Sequence, residues 1–246
     1  MMIQDIVHFL VQRAPLDTAE DWDNVGLLIG SPDREVCRVL VALDITPAAI
    51  EAAKGVKADL VISHHPVIFS PLKSVDRNSV PYRLIEAGVD ALCLHTNLDK
   101  AEGGVNDTLA ALLELDAVVP TPDGMGRIGT LPQTVKANDF ARHVAQKLGC
   151  TVRINGGDRV QRIAVCGGSG GDLIESLLPL ADAFVTGEVR HHEWLAANAG
   201  GITVIEAGHY ATEIPVVDTL CHWLTEQFPT LSVTPYYEGE PYGYIH

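Results

Sequence analysis

Imidazole and carboxylate side chains recur at the ends of apolar, strand-like runs in this sequence. In chain order they are His64 and His65, His95 and Asp99, and His209 and Glu213. Imidazole nitrogen and carboxylate oxygen are the donors with which proteins bind zinc, manganese, iron, nickel or cobalt. A lone histidine at a strand end is more often a hydrogen-bonded core or surface residue. Here three such positions share one context, so the pattern indicates a metal site.

Two of these groups have the same internal spacing. His95 precedes Asp99 by four positions, and His209 precedes Glu213 by four positions. Each group follows the third strand-like run in its half of the chain. A duplicated fold with an imidazole and a carboxylate at each equivalent strand end predicts that both ends face one shared site. Glu213 has two oxygens that could bridge two metal ions.

The adjacent histidines and a lone carboxylate occupy matching places in the two halves. Adjacent residues on an extended chain point to opposite sides, so we expect His64 and His65 to serve two neighbouring ions, or one ion and a substrate. Glu188 ends the matching run in the second half, so it could face the same cleft. A single carboxylate at this place is equally typical of the first turn of a helix.

The glycine-rich run and the three tryptophans are interpreted as structural features and not as binding sites. The glycine-rich run 166–171 follows an apolar run and precedes a helical pattern, where its amides could hold an anion. It lacks the complete dinucleotide-binding pattern, and we interpret it as a plain strand-to-helix turn. We interpret Trp22, Trp194 and Trp223 as packing residues and not as a binding cluster.

Apolar runs alternate with helical patterns along the chain, which is typical of α/β proteins with parallel strands. The segment that starts at Arg38 resembles the one that starts at Arg162, because each has an apolar strand, a turn and a helix containing Ile-Glu. We therefore predict two related α/β halves, 1–126 and 127–246, which form an internal pseudo-repeat around a shared metal site. The Pro- and Gly-rich stretch 120–126 is the expected linker. Chance similarity between two strand–helix–strand units is the alternative explanation.

Composition and charge narrow the class of function. Of the 246 residues, 47% are hydrophobic and 20% are charged, which is typical of a globular protein. Acidic residues outnumber basic ones by 32 to 17, and the net charge of −15 disfavours binding to nucleic acid or to anionic membrane. No apolar run approaches the ~20 residues of a membrane-spanning helix. Five cysteines without a CxxC pair favour a reducing, cytoplasmic location over a disulfide scaffold.

Six short motifs in a fixed order connect the sequence to a known family. They are Trp22-Asp23-Asn24-Val25-Gly26-Leu27, Ser63-His64-His65-Pro66, His95-Thr96-Asn97-Leu98-Asp99, Gly126-Arg127-Ile128-Gly129, Thr186-Gly187-Glu188 and Gly208-His209-Tyr210-Ala211-Thr212-Glu213. On these motifs the whole chain resembles the YbgI-like family. Its members are also described as GTP cyclohydrolase I type 2 homologues and are related to the yeast Ngg-interacting factor proteins. Longer members carry an inserted domain between the halves, for which this chain has no room.

The resemblance implies a two-domain α/β protein that assembles as a ring-like, toroidal homohexamer with two divalent metal ions per subunit. The implied metal ligands are His64, His65, Asp99, His209 and Glu213, with the glutamate bridging the ions. The resemblance puts His95 beside the ions and not necessarily on them. The metals stay open among Zn, Fe, Mn, Ni and Co.

Two functions from different classes fit these residues. The first is a metal-dependent hydrolase acting on a small nucleotide-like or phosphate-containing substrate, with His95 and Glu188 as candidates for proton transfer. Ring opening by a cyclohydrolase and cleavage of a phosphoester fit equally well. The alternative is a non-catalytic metal-binding protein or an adaptor for a protein partner. Open coordination positions that face a cavity would distinguish the enzyme, because structural metal sites are closed.

Overall fold

The computed structural model describes residues 1–243 of the chain. The strands are β1 (Gly26–Ile29), β2 (Arg38–Ala42), β3 (Leu60–Ser63), β4 (Asp90–Cys93), β5 (Asp116–Pro120), β6 (Arg127–Lys136), β7 (Arg153–Ile154), β8 (Arg159–Cys166), β9 (Ala183–Thr186), β10 (Thr203–Glu206) and β11 (Ser232–Pro235). The α-helices are α1 (Ile3–Arg13), α2 (Pro47–Gly55), α3 (Val80–Ala87), α4 (Thr96–Lys100), α5 (Val105–Leu112), α6 (Ala137–Leu148), α7 (Ile174–Leu177), α8 (His191–Gly200), α9 (His209–Glu213) and α10 (Pro215–Gln227). Short 3-10 helices span Leu16–Thr18 and Gly171–Leu173. The mixed α/β class predicted from the alternating pattern is confirmed.

The described chain divides into two compact units whose limits differ from the predicted halves 1–126 and 127–246. The first unit contains Met1–Glu102 and the C-terminal segment from Val216 onward, and the second contains Gly103–Pro215. The C-terminal segment belongs to the first unit because β11 pairs in parallel with β2. The stretch 120–126, expected to be a linker, instead contains the turn between the antiparallel strands β5 and β6. Its Pro and Gly residues therefore mark a hairpin turn inside the second unit.

The first unit is built on a sheet with the strand order β1-β4-β3-β2-β11. Strands β11, β2, β3 and β4 run parallel, and β1 is antiparallel to β4. Every residue of β3 and β4 is buried, as expected for strands of a parallel sheet covered on both faces. Ser63 pairs with Cys93, so β3 and β4 end at the same edge of the sheet. The residues that follow these two strands are therefore brought side by side.

The second unit is built on a sheet with the strand order β5-β6-β8-β9-β10-β7. Strands β8, β9 and β10 run parallel, and the remaining pairings are antiparallel. Thr186 pairs with Cys166 on one side and with Glu206 on the other, so the three parallel strands end together. In each sheet, three parallel strands follow in chain order and an upstream strand pairs antiparallel with the third. Duplication of one ancestral unit stays a prediction.

Local sequence signals explain where two helices of the first unit begin and end. Thr46 caps α2 by accepting a hydrogen bond of 3.1 Å from the backbone N–H of Ala49, and Pro47 takes the first helical position. Ser79 caps α3 in the same way, and Gly88 ends it in a left-handed conformation with φ of 67°. Both helices pack apolar side chains against the strands of the first sheet.

Two features bear on the class of protein. The longest described helix, α10, has 13 residues, and no helix within residues 1–243 is long and apolar enough to cross a membrane. Cys93 and Cys166 are buried, and no disulfide joins the five cysteines, all of which lie in the described part of the chain. The cytoplasmic location stays a prediction.

Candidate metal centre

Three histidines of the first unit form one compact group at the carboxyl edge of its sheet. His64 and His65 directly follow β3, and His95 stands two positions after the end of β4. Their ring centroids are separated by 5.0 Å (His64–His65), 5.2 Å (His64–His95) and 5.5 Å (His65–His95). One possible ligand atom of each ring lies within 4.8 Å of one on each of the other two. The three imidazoles could therefore hold one metal ion.

The adjacent pair does not point to opposite sides, as the extended-chain argument predicted. Strand β3 ends at Ser63, and the chain bends at His64 and His65. Strand alternation holds only while the backbone stays extended, so both rings can turn toward His95. The expectation that the two histidines serve two neighbouring ions, or one ion and a substrate, stays a prediction.

Each of the three imidazoles is held through its Nδ1 atom. The partner of His64 is the backbone oxygen of Leu94 at 3.0 Å, that of His65 is Oδ1 of Asp44 at 2.9 Å, and that of His95 is Oδ1 of Asp23 at 2.8 Å. An acceptor at Nδ1 keeps the proton on that nitrogen and leaves the lone pair on Nε2. Metal-binding histidines commonly have this arrangement, because the second hydrogen bond fixes the tautomer and orients the ring.

Asp23 is a buried carboxylate that accepts several hydrogen bonds beside this group. Its side chain is fully buried, and it accepts hydrogen bonds from His95 Nδ1, from the Thr96 backbone N–H at 3.0 Å and from Thr96 Oγ1 at 2.5 Å. Burial alone would raise the pKa of Asp23, but the hydrogen bonds from His95 and Thr96 outweigh it. The pKa therefore lies well below its usual value. Asp23 stays ionised and fixes the orientation of His95.

Two other acids complete the surroundings of the histidine group. Asp99, on α4, places Oδ1 3.7 Å from Nε2 of His64. Asp44 contacts His65, and its backbone N–H donates to Oε1 of Glu238 at 2.8 Å. Burial raises the pKa of the Glu238 carboxyl. The segment after β11 thus reaches the loop that orients His65.

The second unit holds its candidate ligands on one helical turn. His209 and Glu213 are the first and last residues of α9, and Nε2 of His209 lies 3.0 Å from Oε2 of Glu213. Nδ1 of His209 lies 3.3 Å from Oε1 of Glu188, whose side chain is 58% exposed. His209 therefore lies between two carboxylates, of which Glu213 is buried and Glu188 is open to solvent.

The two His-x-x-x-acid groups are used differently despite their equal spacing. In the first unit, the His95 side chain bonds to Asp23 while Asp99 lies against His64. In the second unit, the histidine and the acid of the same group contact each other. The equivalence of sequence position therefore does not extend to the side-chain contacts.

Glycines make room for the acid of the second unit. A Cβ atom on Gly168, where φ is 62°, would overlap the carboxylate of Glu213 and lie 3.2 Å from Nε2 of His209. A Cβ atom on Gly187 would lie 2.5 Å from the backbone oxygen of Gly168 and 2.8 Å from Cα of His209. The run 166–171 is thus a close-packed turn after β8 that leads into a short 3-10 helix, as predicted. The acidic side chain of Glu213 lies beside it.

The tryptophans differ from one another in burial. Trp223 is 6% exposed and packs in the first unit, as predicted. Trp22 is 58% exposed, so its interpretation as a packing residue is wrong. The residue lies in an irregular segment between the first 3-10 helix and β1, where the sequence has no periodicity from which burial could be predicted.

Sequence reasoning missed the acids that orient the histidines. Asp44 follows the end of β2 by two positions, and ligands and their supporting groups gather at the carboxyl ends of parallel strands. The position of Asp44 after a parallel strand could therefore have indicated that it belongs to the site. Asp23 is far from His95 in the sequence, and only its place in a motif singled it out.

The residues present fit a divalent metal ion. Three imidazoles with anchored Nδ1 atoms and a nearby carboxylate in the first unit are the donor types that zinc and the neighbouring transition metals prefer. Within the second unit, His209 and Glu213 form an imidazole–carboxylate pair of the same donor types. The structure therefore contains histidine and glutamate side chains that could bind a metal ion.

The fold and the histidine group define a mixed α/β protein with a candidate metal centre at the carboxyl ends of parallel strands. The family model described as Duf34/NIF3 (NGG1p interacting factor 3) matches residues 1–237. The chain belongs to this family, which confirms the resemblance carried by its six motifs.

Named relatives and solved structures match nearly the whole chain. The "GTP cyclohydrolase 1 type 2 homolog" of Streptomyces coelicolor is 34% identical over 233 residues, which cover 87% of this chain and 82% of that protein. The "NIF3-like protein 1" of Drosophila melanogaster is 30% identical over 238 residues, covering 88% of this chain and 79% of that protein. The crystal structure of a Staphylococcus aureus hypothetical protein superposes with a TM-score of 0.92 at 29% identity, covering 100% of this chain and 99% of that one.

Proposed function

We propose that the protein is a metal-dependent hydrolase of a small nucleotide-like or phosphate-containing substrate. Two divalent ions per subunit would be held by the ligands that the family resemblance implies, His64, His65, Asp99, His209 and Glu213, with the glutamate bridging. Zinc, iron, manganese, nickel and cobalt all accept this mixture of imidazole and carboxylate donors.

One observation carries the proposal: three imidazoles meet at one sheet edge, and each has its Nδ1 atom held by an acceptor. A histidine that serves only the core needs no such convergence with two others. Three imidazoles oriented in this way are expensive to assemble, because each loses side-chain freedom and two need a carboxylate partner. Metal binding explains the fixed orientation of His64 and His65, and proton transfer beside the ions explains that of His95.

Different residues of the chain have different roles in the proposed hydrolysis. When bound, a pair of divalent ions lowers the pKa of water and stabilises negative charge developing on the substrate. His95 is the proposed proton-transfer group, since its Nδ1 proton is held by Asp23 and its Nε2 can accept another. The ionised Asp23 carboxylate stabilises the imidazolium that then forms. Glu188 is the second candidate, because its exposed carboxylate can exchange protons with solvent.

The names of relatives bear on the substrate. Several relatives are named GTP cyclohydrolase 1 type 2 homologues, which favours a nucleotide-like compound. The net charge of −15 disfavours extended anionic polymers such as nucleic acid, whereas a metal pair can offset the charge of one small phosphate compound. We also propose the ring-shaped homohexamer that the resemblance implies. Native mass spectrometry of the full chain should then give the mass of six subunits.

The test compares the metal content of two matched glutamate variants. Glu213→Gln should lower the metal content from two ions per chain towards one or none, because glutamine lacks the charge that screens repulsion between two divalent ions. Glu188→Gln, which removes an exposed carboxylate, should keep both ions. Elemental analysis of protein purified without added metal gives the stoichiometry, and unchanged content in Glu213→Gln would refute the bridging role.

Hydrolysis is assayed separately on the metal-loaded wild-type protein. GTP, other nucleotides and simple phosphoesters are offered with each of the five metals in turn. Turnover that requires metal supports the enzyme. Bound metal without hydrolysis of any of these compounds would favour the non-catalytic metal-binding or adaptor role.

A further inference from the structure

Two large aromatic side chains are exposed beside the histidine group. Trp22 is 58% exposed and Phe69 is 52% exposed, and their ring centroids are 5.7 Å apart with an interplanar angle of 36°. The two residues are far apart in the sequence, and each belongs to an irregular segment. Leaving so much aromatic surface in water forfeits the stabilisation that burial would give. The pair therefore needs an explanation other than core packing.

The backbone on both sides of the pair is fastened to the site. Asp23, next to Trp22, bonds to His95, and Asn24 Nδ2 donates to the backbone oxygen of Ile68 at 2.5 Å. Ile68 directly precedes Phe69. The two rings are thus carried by segments tied to each other and to His95, which preorganises their positions.

The pair also contacts the proposed proton-transfer residue directly. The His95 ring centroid lies 6.0 Å from Trp22 and 6.4 Å from Phe69, and its plane is nearly perpendicular to both, at 74° and 71°. A flat ring stacked on an aromatic side chain sits at a centroid separation of roughly 4.5–7 Å. A ring bound on this pair would therefore lie beside His95.

We infer that Trp22 and Phe69 form a stacking platform for a planar heteroaromatic ring of the substrate. The inference rests on the proposed function and narrows it, because a phosphoester without such a ring would gain nothing from the platform. Base–aromatic stacking tolerates many ring types, since every base offers a π-face. The platform therefore favours substrates that carry a planar heteroaromatic ring. Discrimination between one such ring and another would depend on other side chains.

The test uses guanosine 5′-monophosphate and ribose 5-phosphate, which share a phosphate and differ by the ring. The full-length protein is labelled with 5-fluorotryptophan, and the three fluorine signals are assigned with single Trp→Phe variants. Guanosine 5′-monophosphate should shift the Trp22 signal and leave those of Trp194 and Trp223 in place. Ribose 5-phosphate should leave the Trp22 signal unshifted.

Variants then measure the contribution of the platform to binding. By calorimetry, Trp22→Ala should weaken guanosine 5′-monophosphate binding by roughly 5- to 150-fold, which is what the loss of one base–aromatic stack costs. Phe69→Ala should weaken it in the same direction, and Trp22→Phe should keep most of the affinity. Trp194→Phe, in the second unit, is the matched control and should bind like the wild type.

Four results would overturn the inference. The first three are equal affinity of the wild type for both compounds, unchanged affinity in Trp22→Ala, and equal displacement of the Trp22 signal by choline, which would make the pair a cation site. A changed subunit number in Trp22→Ala with unchanged ligand affinity would likewise overturn it, by assigning the pair to an interface. None of these readouts needs turnover, and the metal content of the glutamate variants is measured with Trp22 in place. Failure of the platform is therefore distinguishable from failure of the hydrolase proposal.

Discussion

Replacing Asp23 with Asn should destabilise the first unit even without metal. The buried carboxylate of Asp23 accepts four hydrogen bonds, one from His95 Nδ1, two from Thr96 and one from the Asn24 backbone N–H. Asparagine has nearly the same shape, but it offers one oxygen and turns an NH₂ group toward a donor. One or two donors therefore lose their acceptor while the packing volume is unchanged.

The size of the effect follows from these contacts. A hydrogen bond to a charged group contributes about 1.5–3 kcal/mol, and two such bonds are at stake. The Thr96 hydroxyl can turn its proton away and accept from the new NH₂ group, because its oxygen has two lone pairs and the Glu20 backbone N–H, at 2.9 Å, uses only one. We therefore expect a loss of about 2–4 kcal/mol in the free energy of unfolding. For a chain of this size that corresponds to a fall of roughly 4–16 °C in Tm.

The assay is denaturant unfolding in the presence of a chelator, so that metal loss does not contribute. Asp21→Asn, an exposed aspartate two positions away, is the matched control and should change stability by less than about 0.5 kcal/mol. Because folding lowers the pKa of Asp23, its contribution is present above the unfolded pKa of about 3.9 and is lost as the pH falls through the folded value. The gap between wild type and Asp23→Asn should therefore narrow below about pH 4. Equal stability of the two proteins at pH 7 would refute the reasoning.

The remaining predictions concern the proton-transfer residue and the glycine turn. His95→Ala should keep most of the bound metal, measured by elemental analysis, and lose metal-dependent hydrolysis; parallel loss of metal would make His95 a ligand instead. Gly168→Ala should destabilise the second unit by more than about 1 kcal/mol, because its Cβ would overlap Glu213 and its φ of 62° is strained for alanine. Gly124→Ala, where φ is 78° and no atom lies within 4 Å of the new Cβ, isolates the strain. Equal stability losses in these two glycine variants would contradict the predicted overlap.

Much of the framework was predictable because its signals are local. The apolar runs of β3 and β4 and the capping residues of α2 and α3 are read from neighbouring positions in the sequence. Parallel strands then bring their carboxyl ends to one edge, which is why His64 and His95 could be placed together. The grouping of these histidines follows from strand order alone.

The features that could not be predicted from the sequence depend on contacts between distant segments of the chain. The stretch 120–126 has the composition of a linker, but its role as a hairpin turn is set by pairing of β5 with β6. The C-terminal strand joins the first sheet through β2, which no local pattern indicates. The exposed Trp22 lies next to Asp23, whose partners His95 and Thr96 are more than 70 positions away. Periodicity carries no information about such contacts.

The most direct test of the metal-centre account is anomalous X-ray scattering, measured at the absorption edges of zinc, iron, manganese, nickel and cobalt. The crystals would be grown from protein purified without added metal. The account predicts two anomalous peaks per chain at the proposed ligand set, with at least one near the imidazoles of His64 and His65. Water or an open coordination position should then face a cleft beside His95. Absence of any peak at these imidazoles, in protein that elemental analysis shows to contain metal, would contradict the account.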